Sequence, residues 1–414
     1  MSDNHSSKLR EYLPGPVFSL INEAGSKAHE MGQSLYLVGG VVRDLFLERN
    51  NYDLDMVVEG DAVKLAFELA QRGNAKLVVH HRFGTARLNF DEFSVDFATA
   101  RSETYRRPGA LPVVRPGTII DDLSRRDFSI NAMALHLSPE RFGELIDLHD
   151  GERDIARRLI RILHPESFVD DATRMFRAVR YEKRLGFKLE KTTARLLHRN
   201  LSMIDTISGD RIRHEIELIL REDYPEDILK RMDELGILAQ LYISLEGDDW
   251  LRDKFVRARY VLQRGISPLL YLCLIIYNLT EEEAAVFIER LNFPARSAEV
   301  MCQVLQLKSQ LPVLCNPRLK ASELYHLLKP YMSPAIQANL IASDSDVVKR
   351  HIRLYQSRLK SVKPLLTGEY LIAMGVSPGP ELGEMLTELH NAKLDGKVGT
   401  RAEEERFIRG LSRN

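Results

Sequence analysis

Two glycines and two aspartates near the N-terminus have the residue types and spacing of a triphosphate site. Gly39 and Gly40 end one apolar run, and Asp53 and Asp55 stand in the next. A glycine turn lets the backbone approach a phosphate, and Arg43, one helical turn later, supplies a cation. Side chains two apart on a strand share a face, so the aspartates can together bind Mg²⁺. Together these features predict metal-dependent phosphate chemistry, whereas each half alone is also typical of a tight turn or a solvated strand edge.

Polar side chains further along the chain extend the predicted site. Asp96 falls on a later strand, where it is either a third catalytic carboxylate or an acid on an exposed strand face. The segment 121–137 is predicted to begin with a helix. Arg126, Asp127 and Asn131 on this segment can bind the phosphates and ribose hydroxyls, or they can close a local salt bridge.

The segment 170–180 is predicted to be a helix that reads the base. Cytosine and adenine both present an amine donor beside an unprotonated ring nitrogen. A carboxylate with a guanidinium, here Asp171 with Arg174, would accept both bases and mispair with guanine and uracil. Arg177 and Arg180 recur on the same side of the helix. The pattern predicts CTP and ATP as substrates, and a surface ion pair at i, i+3 is the alternative.

The segment 101–117 contains three prolines, two glycines and several arginines without periodicity. It is predicted to be a long loop, suited to a lid over a nucleotide or an RNA end, or else simply a solvated charged loop. The net charge of −1 hides a basic stripe, because arginines crowd the segment 101–126 and then the segment 153–184. That stripe predicts a nucleic-acid partner.

Composition and length bound the remaining possibilities. The 414 residues, 44% hydrophobic and 28% charged, predict two to four globular domains. The longest apolar run, 269–276, is too short to cross a bilayer, and the N-terminal segment lacks the apolar core of a signal peptide. A cytoplasmic location is therefore expected. The three cysteines are predicted to be buried thiols rather than disulfide or zinc ligands.

Several motifs, in this order, resemble the class II tRNA nucleotidyltransferases of bacteria, which share their head with bacterial poly(A) polymerases in the DNA polymerase beta-type superfamily. They read LVGGVVRD with DLD, RRDFSINAMAL, DLHDGERD, DDATRMFRAVR and SGDRIRHE. The resemblance implies an α+β fold with a polymerase-beta-like nucleotidyltransferase head that contains a small mixed sheet. An all-α neck, body and tail would follow, with the four domains expected at 1–138, 139–220, 221–360 and 361–414.

The resemblance also implies template-independent addition of C, C and A from CTP and ATP to the 3′ end of tRNA, with release of pyrophosphate. The acceptor arm of tRNA would bind the body and tail. The same resemblance assigns roles to individual residues. Those on Mg²⁺ are Asp53 and Asp55, those on the nucleotide are Gly40, Arg43 and Arg126, and those on the base and triphosphate are Asp171, Arg174, Arg177 and Arg180.

Four alternatives stay open at this point. The segment 80–90 looks like that of the tRNA enzymes and lacks the double-arginine motif usual in bacterial poly(A) polymerases, which makes a poly(A) polymerase the less favoured alternative. Addition of CC only is disfavoured because the segment 101–117 is of full length. Addition of the terminal A only is not distinguished from addition of the whole CCA. A non-catalytic RNA-binding protein is disfavoured because both metal carboxylates and the base-reading pair are present.

Overall fold

The computed structural model describes residues 4–72, 75–80, 84–263 and 265–411. The chain divides into two compact units, Met1–Leu241 and Tyr242–Asn414. Three residues of the segment compared with the tRNA enzymes, 81–83, lie outside the described part. Strands are confined to the first unit, as far as the structure describes the chain, and the second unit is helical. The predicted α+β fold with an N-terminal sheet and a helical remainder is confirmed.

The described part of the first unit contains eleven strands. They are β1 (Ser34–Val38), β2 (Leu54–Glu59), β3 (Lys76–His80), β4 (Thr85–Asn89), β5 (Ser94–Thr99), β6 (Arg101–Thr104), β7 (Val113–Pro116), β8 (Met133–His136), β9 (Leu145–Asp147), β10 (Leu159–Ile160) and β11 (Lys188–Leu189).

Helices surround this sheet and continue through the rest of the unit. They are α1 (Ser6–Tyr12), α2 (Gly15–Glu30), α3 (Gly40–Phe46), α4 (Ala62–Arg72), α5 (Ile119–Ser124), α6 (Gly151–Arg157), α7 (Ser167–Asp170), α8 (Thr173–Leu185), α9 (Lys191–Arg199), α10 (Gly209–Ile219), α11 (Pro225–Glu234) and α12 (Ile237–Leu241). Short 3-10 turns lie at Ser129–Asn131, Pro139–Arg141 and Leu201–Thr206.

Seven strands form one mixed sheet in the order β3-β4-β5-β2-β1-β8-β9. The β2–β5 pair is parallel, and its register places Asp55 opposite Asp96. Asp55 also stands opposite Val38, the last residue of β1. The glycine turn after β1 and the two carboxylates therefore meet at one end of the sheet. The buried faces of β1, β2 and β5 hold that end rigid, since their inward side chains are apolar and nearly inaccessible to solvent.

The prediction of an irregular loop at 101–117 is wrong, because β6 and β7 form an antiparallel hairpin there. Its strands have only four residues each. Charged residues and prolines in such short strands leave no alternation of polar and apolar residues for a sequence pattern to detect. The segment is therefore an ordered arm of the first unit and not an unstructured lid.

The prediction of one helix at the start of 121–137 is also wrong in extent. A capping box in which Thr118 and Asp121 bond each other's backbone starts α5 at Ile119, and the helix ends at Ser124. A 3-10 turn at Ser129–Asn131 follows, and then β8 pairs with β1. Arg126 and Asn131 consequently lie on different local structures.

The predicted helix at 170–180 is interrupted at its first turn. Asp171 has the extended angles φ −145° and ψ 101°, and α8 begins two residues later. The Asp171 carboxylate accepts hydrogen bonds from the backbone nitrogen and hydroxyl of Thr173, at 2.9 and 2.6 Å. These bonds satisfy free groups at the helix start, so Asp171 stands just ahead of α8.

The second unit contains the helices α13 (Asp249–Leu262), α14 (Pro268–Ile275), α15 (Glu281–Arg290), α16 (Ala295–Ser309), α17 (Leu311–Leu314), α18 (Ala321–Leu328), α19 (Ser333–Ala342), α20 (Asp346–Ser357), α21 (Gly368–Ala373), α22 (Pro380–Leu394) and α23 (Arg401–Leu411). A short 3-10 turn lies at Leu359–Ser361. The prediction of buried thiols holds for Cys273 but is wrong for Cys302 and Cys315, which are exposed. In the described ranges, every helix is too short or too polar to cross a membrane.

Candidate active site

A glycine with left-handed backbone angles marks the turn between β1 and α3. Gly39 has φ +78°, a conformation that side chains with a Cβ rarely adopt. A Cβ at this position would stand 2.9 Å from Nη1 of Arg126 and 3.7 Å from Oδ2 of Asp55. Glycine here thus keeps space open between a guanidinium and a carboxylate, as a phosphate-binding turn requires.

The predicted metal carboxylates lie beside this turn. Asp53 is exposed and directly precedes β2, and Asp55 is the second residue of that strand. Enclosure by the surrounding protein and, second to it, the neighbouring carboxylate of Asp53 together raise the pKa of Asp55 to about 6. Two close carboxylates repel each other when no cation is present, so one of them binds a proton more readily. The pair is therefore suited to a bound cation.

Asp96 has a different environment from the other two carboxylates. Arg87 on β4 donates two hydrogen bonds to it, one of them from Nε at 2.7 Å. These contacts are those of an acid on a strand face, which was the alternative to a catalytic role for Asp96. Its nearness still contributes to the raised pKa of Asp55, after the larger effects of enclosure and of Asp53, whereas Arg126 acts in the opposite direction. A role of Asp96 as a third metal ligand stays a prediction.

Two carboxylates are a sufficient protein contribution for a magnesium ion that arrives with a nucleotide. Among the residues that the structure describes, no three histidine, cysteine or acidic side chains converge on one point as a complete metal cluster. Mg²⁺ prefers oxygen ligands and is commonly held by one or two carboxylates together with phosphate oxygens and water. The oxygen donors of Asp53 and Asp55 fit this requirement.

A cavity of about 340 Å³ opens between the sheet end and α8. Most of the predicted nucleotide residues line it, and the volume is within the range of small-molecule sites. The predicted residues in its wall are Gly39, Gly40, Asp55, Arg126, Asp127, Asn131, Asp171, Arg174 and Arg177. The residues that the sequence analysis did not assign to the site are Glu103, Tyr105, Arg125 and Tyr181.

Two predicted nucleotide residues stand behind this wall instead of in it. Arg43 is 5% exposed and donates to both carboxylate oxygens of Asp44, at 2.9 and 2.8 Å. It also donates to Oδ1 of Asn131 at 2.8 Å, and so orients an amide that does line the cavity. Arg180 is 4% exposed and lies 3.4 Å from the carboxylate of Glu215. Both arginines support the cavity wall in this structure.

Asp127 is tied to α8 by a buried ion pair. Nε and Nη2 of Arg177 donate to one of its oxygens at 2.8 and 2.6 Å, and Nδ2 of Asn131 donates to the other at 3.0 Å. Burial alone would raise the pKa of Asp127, but the Arg177 guanidinium and the Asn131 amide hold it below its usual value. The Asp127 carboxylate likewise raises the pKa of Arg177. This pair fixes the middle of the cavity wall.

The local salt bridge considered for Arg126 is present. The fully buried carboxylate of Asp122 accepts from Nη2 of Arg126 at 2.9 Å and from Nη2 of Arg125 at 2.6 Å. Asp122 thereby holds both guanidinium groups in place at this edge of the cavity. Because Nη1 of Arg126 also adjoins the space above Gly39, its guanidinium is placed where phosphates are expected.

Asp171 and Arg174 line the cavity without pairing to each other. Oδ1 of Asp171 accepts from Nη2 of Arg211 at 2.8 Å. Arg174, 5% exposed, donates to the carbonyl oxygens of Arg125 and Ser167 at 2.9 and 3.5 Å. Within the described ranges, no carboxylate forms an ion pair with Arg174. The surface ion pair considered from the sequence is therefore absent, and a directed guanidinium charge remains available.

The hairpin brings two residues that were not predicted, Glu103 and Tyr105, to the end of the cavity where Asp171 and Arg174 lie. Glu103 on β6 accepts from Arg125 at 3.1 Å and from the hydroxyl of Tyr105 at 3.1 Å. Burial and the Glu103 carboxylate raise the pKa of Tyr105 to about 12. A sequence pattern could not assign these contacts, since the segment shows no periodicity. Tyr181 could have been found, because it follows Arg177 by four residues on one helix face.

Family models match successive parts of the chain. The Poly A polymerase head domain matches residues 35–161, the "Probable RNA and SrmB- binding site of polymerase A" matches residues 186–246, and the tRNA nucleotidyltransferase domain 2 matches residues 268–404. The first of these ranges contains the glycine turn and the aspartates of β2. The matches thus follow the order of head and helical remainder that the fold displays.

Curated relatives carry related names. The A-adding tRNA nucleotidyltransferase of Aquifex aeolicus is 38% identical over 86% of this chain and 44% of that protein. Its counterpart in Geobacter sulfurreducens is 33% identical over 96% of this chain and 47% of that protein. The chain therefore spans about half the length of these two relatives. The A-adding tRNA nucleotidyltransferase of Halalkalibacterium halodurans is 30% identical over 99% of this chain and 96% of that protein. Relatives named CC-adding and CCA-adding match at 31% and 28% identity.

Solved structures agree with these relatives. A CCA-adding enzyme in apo form II has a TM-score of 0.85 at 31% identity, over 99% of each chain. The Thermotoga maritima CCA-adding enzyme complexed with tRNA has a TM-score of 0.78 at 31% identity, over 99% of each chain. Complexes of CCA-adding enzymes with ATP and with CTP each have a TM-score of 0.83. With a full-length relative at 30% identity and this common fold, the chain belongs to the tRNA nucleotidyltransferase family, which shares its head domain with poly(A) polymerases.

Proposed function

We propose that this chain is a template-independent tRNA nucleotidyltransferase. It would add C, A or both from CTP and ATP to the 3′ end of tRNA and release pyrophosphate. The observation that carries the proposal is a single cavity whose wall includes Asp55, the glycine turn and the base-reading candidates Asp171 and Arg174. The fold neighbours that hold tRNA, ATP or CTP support the same substrates.

In the proposed reaction, the 3′-hydroxyl of tRNA attacks the α-phosphate in line and pyrophosphate leaves. Asp53 and Asp55 would hold Mg²⁺, which lowers the pKa of an attacking hydroxyl and stabilises charge on the leaving oxygens when bound. Gly39 leaves room for the phosphates, and Arg126 supplies positive charge beside that space. Arg43 contributes indirectly by orienting Asn131.

Base selection is assigned to the other end of the cavity. The Asp171 carboxylate would accept from the exocyclic amine of cytosine or adenine, and Arg174 would donate to the adjacent ring nitrogen. Guanine and uracil would leave both protein groups mispaired, which is costly in an enclosed site. Support for this assignment comes from Arg174, whose hydrogen bonds to two backbone carbonyls direct the guanidinium without neutralising it.

The acceptor arm of tRNA is the proposed partner of the helical part of the chain. Double-helical RNA is recognised mainly through its shape and its phosphates. We propose that residues 1–138 form a catalytic head and that residues 139–220 form a neck that reads the base. Strand β9 follows residue 138 in the chain but completes the sheet of the head. Residues 221–360 would form a body, and residues 361–414 a tail, that bind tRNA. The family-model match at 186–246 supports RNA binding near the neck. Because the proposed substrates are tRNA and nucleoside triphosphates, a cytoplasmic location is proposed too.

Addition of the terminal A alone is a second candidate. It is favoured by the relatives from Aquifex, Geobacter and Halalkalibacterium, which are all named A-adding and match at 38%, 33% and 30% identity. The base-reading pair itself accepts both C and A, so the two candidates differ in the order and number of additions rather than in the chemistry of transfer.

The discriminating experiment uses tRNAs that end before CCA, after C and after CC, each with CTP, ATP or both. A complete CCA-adding enzyme extends all three to the same end, an A-adding enzyme extends only the last, and a CC-adding enzyme stops after the second C. A poly(A) polymerase would continue to lengthen its product on ATP. A non-catalytic RNA-binding protein would consume no nucleotide, and that result would refute the proposal.

A further inference from the structure

Tyr181 lies in the cavity wall at the centre of a group of arginines. The guanidinium carbons of Arg43, Arg177, Arg180 and Arg184 stand 5.5, 5.7, 5.8 and 5.7 Å from the centre of its ring. An edge contact with Phe128, at 5.8 Å between ring centres, holds the ring from another side. The side chain is half-buried and is therefore fixed in place while part of it reaches the cavity.

Each arginine around the ring also has a carboxylate partner. The pairs are Arg43 with Asp44, Arg177 with Asp127, Arg180 with Glu215 and Arg184 with Glu222. These partners hold the guanidinium groups around the ring in fixed positions. Cations near an aromatic face attract its electron density and further limit movement of the ring. The surroundings of Tyr181 are consequently ordered, and each guanidinium charge beside the ring is balanced by a carboxylate.

The hydroxyl of Tyr181 is available for a ligand. Over the ranges that the structure describes, it makes no hydrogen bond, whereas the hydroxyl of Tyr105 at the other end of the cavity is bonded to Glu103. The hydroxyl is not among the buried polar atoms that lack a partner, so it is accessible and can donate to a ligand that enters the cavity. A donor without a partner in the wall of a substrate cavity points to a bond with the substrate.

The position of Tyr181 along α8 decides which part of the nucleotide it would meet. It follows the base-reading candidate Arg174 by seven residues, which is about 10 Å along a helix axis. That distance is comparable to the separation of base and terminal phosphates in a nucleotide. Its neighbour Arg43 adjoins the glycine turn, because a Cβ on Gly40 would stand 3.6 Å from Nη2 of Arg43. Tyr181 thus lies at the glycine end of the cavity.

We propose that Tyr181 is a triphosphate-binding residue whose hydroxyl donates a hydrogen bond to a non-bridging oxygen of the β- or γ-phosphate. Phosphate oxygens only accept hydrogen bonds, so a free hydroxyl donor is complementary to them, and bonds to charged groups are the stronger ones. The same contact would persist with the leaving pyrophosphate. This assignment rests on the proposed function, because it requires that the cavity binds a nucleoside triphosphate.

The test compares ligands with and without the terminal phosphates in the full-length chain. Tyr181→Phe keeps the ring and its neighbours and removes only the hydroxyl. With Mg²⁺ present, we expect titration calorimetry to show about ten-fold weaker binding of ATP and of inorganic pyrophosphate, equivalent to about 1.4 kcal/mol. Binding of AMP, which lacks the β- and γ-phosphates, should stay unchanged. Tyr260→Phe, at an exposed tyrosine of α13 that does not line the cavity, is the control, and its affinity for pyrophosphate should equal that of the unaltered chain.

The possible results separate this assignment from the proposed function. Equal affinity of the Tyr181→Phe variant and the unaltered chain for pyrophosphate would overturn the assignment while leaving nucleotidyl transfer in place. A parallel loss of AMP binding would also overturn it, because the hydroxyl would then act on the base, the ribose or the α-phosphate. An unaltered chain that binds neither ATP nor pyrophosphate would overturn the proposed function and the assignment with it.

Discussion

Arg174 illustrates how a single residue can be prepared for base recognition. Its guanidinium is only 5% exposed and pairs with no carboxylate among the described residues. Burial therefore carries a desolvation cost, which the bonds to two backbone carbonyls only partly offset. A base with an unprotonated ring nitrogen would use the remaining donors. The planar fork of arginine, rather than its charge alone, makes this geometry possible.

Replacing Arg174 by lysine keeps the positive charge but should lower the selectivity among nucleotides. We expect Arg174→Lys to reduce kcat/KM for CTP or ATP by about 10- to 100-fold, and to narrow the preference over GTP and UTP, because an ammonium cannot reproduce the directed donor. Steady-state rates with each nucleotide measure this. Arg213→Lys, a change in a partly exposed pair with Asp210, is the control. Unchanged selectivity in the Arg174 variant would exclude the base-reading role.

Asp127 provides a prediction about pH at the same scale. Its pKa is lower in the folded chain than in the unfolded chain, so its ionised form stabilises the fold above the ordinary pKa of about 4, and this stabilisation is lost as pH falls through the folded value. Asp127→Asn should lower stability by about 3 kcal/mol at pH 7, because Arg177 would lose its buried partner. The difference in melting temperature from the unaltered chain should shrink below about pH 4.

Melting curves of both chains between pH 3 and pH 7 check this expectation. Asp210→Asn, which removes a carboxylate on the exposed side of α10, is the comparison variant and should show little difference at any pH. A difference for Asp127→Asn that stays constant down to pH 3 would mean that folding does not lower the pKa of this carboxylate.

At the scale of elements, the β6–β7 hairpin depends on a glycine at its tip. Gly109 has φ +68°, and a Cβ there would stand 2.5 Å from the carbonyl oxygen of Thr206. Nη1 of Arg211 also donates to the carbonyl oxygen of Gly109 at 3.2 Å. The tip is thereby docked on the 3-10 turn at Leu201–Thr206, and a larger residue would have to displace it.

Gly109→Ala should undock this tip while leaving the sheet of the first unit intact. The exposed Arg106 next to the tip would then become a better target for trypsin, since proteases cleave segments that open locally. We expect cleavage to be at least about ten-fold faster than in the unaltered chain, given a cost of more than 1 kcal/mol for the strained and crowded position. Gly383→Ala on α22, where a Cβ meets nothing within 4 Å, serves as control. Equal cleavage rates would mean that the tip is not held by this contact.

Local elements with a strong pattern could be predicted from the sequence. The apolar run before Gly39 is β1, the segment after it is α3, and the run around Asp55 is β2. The break at Asp171 could not be predicted, because the apolar periodicity continues through it. The helix begins only at Thr173, whose backbone nitrogen and hydroxyl donate hydrogen bonds to the Asp171 carboxylate. The hairpin was missed since its strands are short and charged, and with it the positions of Glu103 and Tyr105 in the cavity.

At the scale of the whole molecule, the cavity depends on pairs that are distant in sequence. Arg177 reaches Asp127 across 50 positions, and Arg211 reaches Asp171 across 40. No local pattern specifies such partners, which explains why Arg43 and Arg180 were expected in the cavity and stand behind its wall. Order and type of motifs do predict the family, because the chemistry requires these residue types irrespective of how the supporting pairs are arranged.

The carboxylates at the end of the sheet are the groups on which the proposed nucleotidyl transfer depends. The most direct measurement is extension of a tRNA that ends in CC, with ATP and Mg²⁺, by the unaltered chain and by Asp53→Ala. Asp53 is exposed, so its loss should leave the fold and tRNA binding unchanged. We predict a product one nucleotide longer from the unaltered chain and none from the variant in the same time. Extension by the variant at a near-normal rate, or no extension by the unaltered chain, would contradict the account.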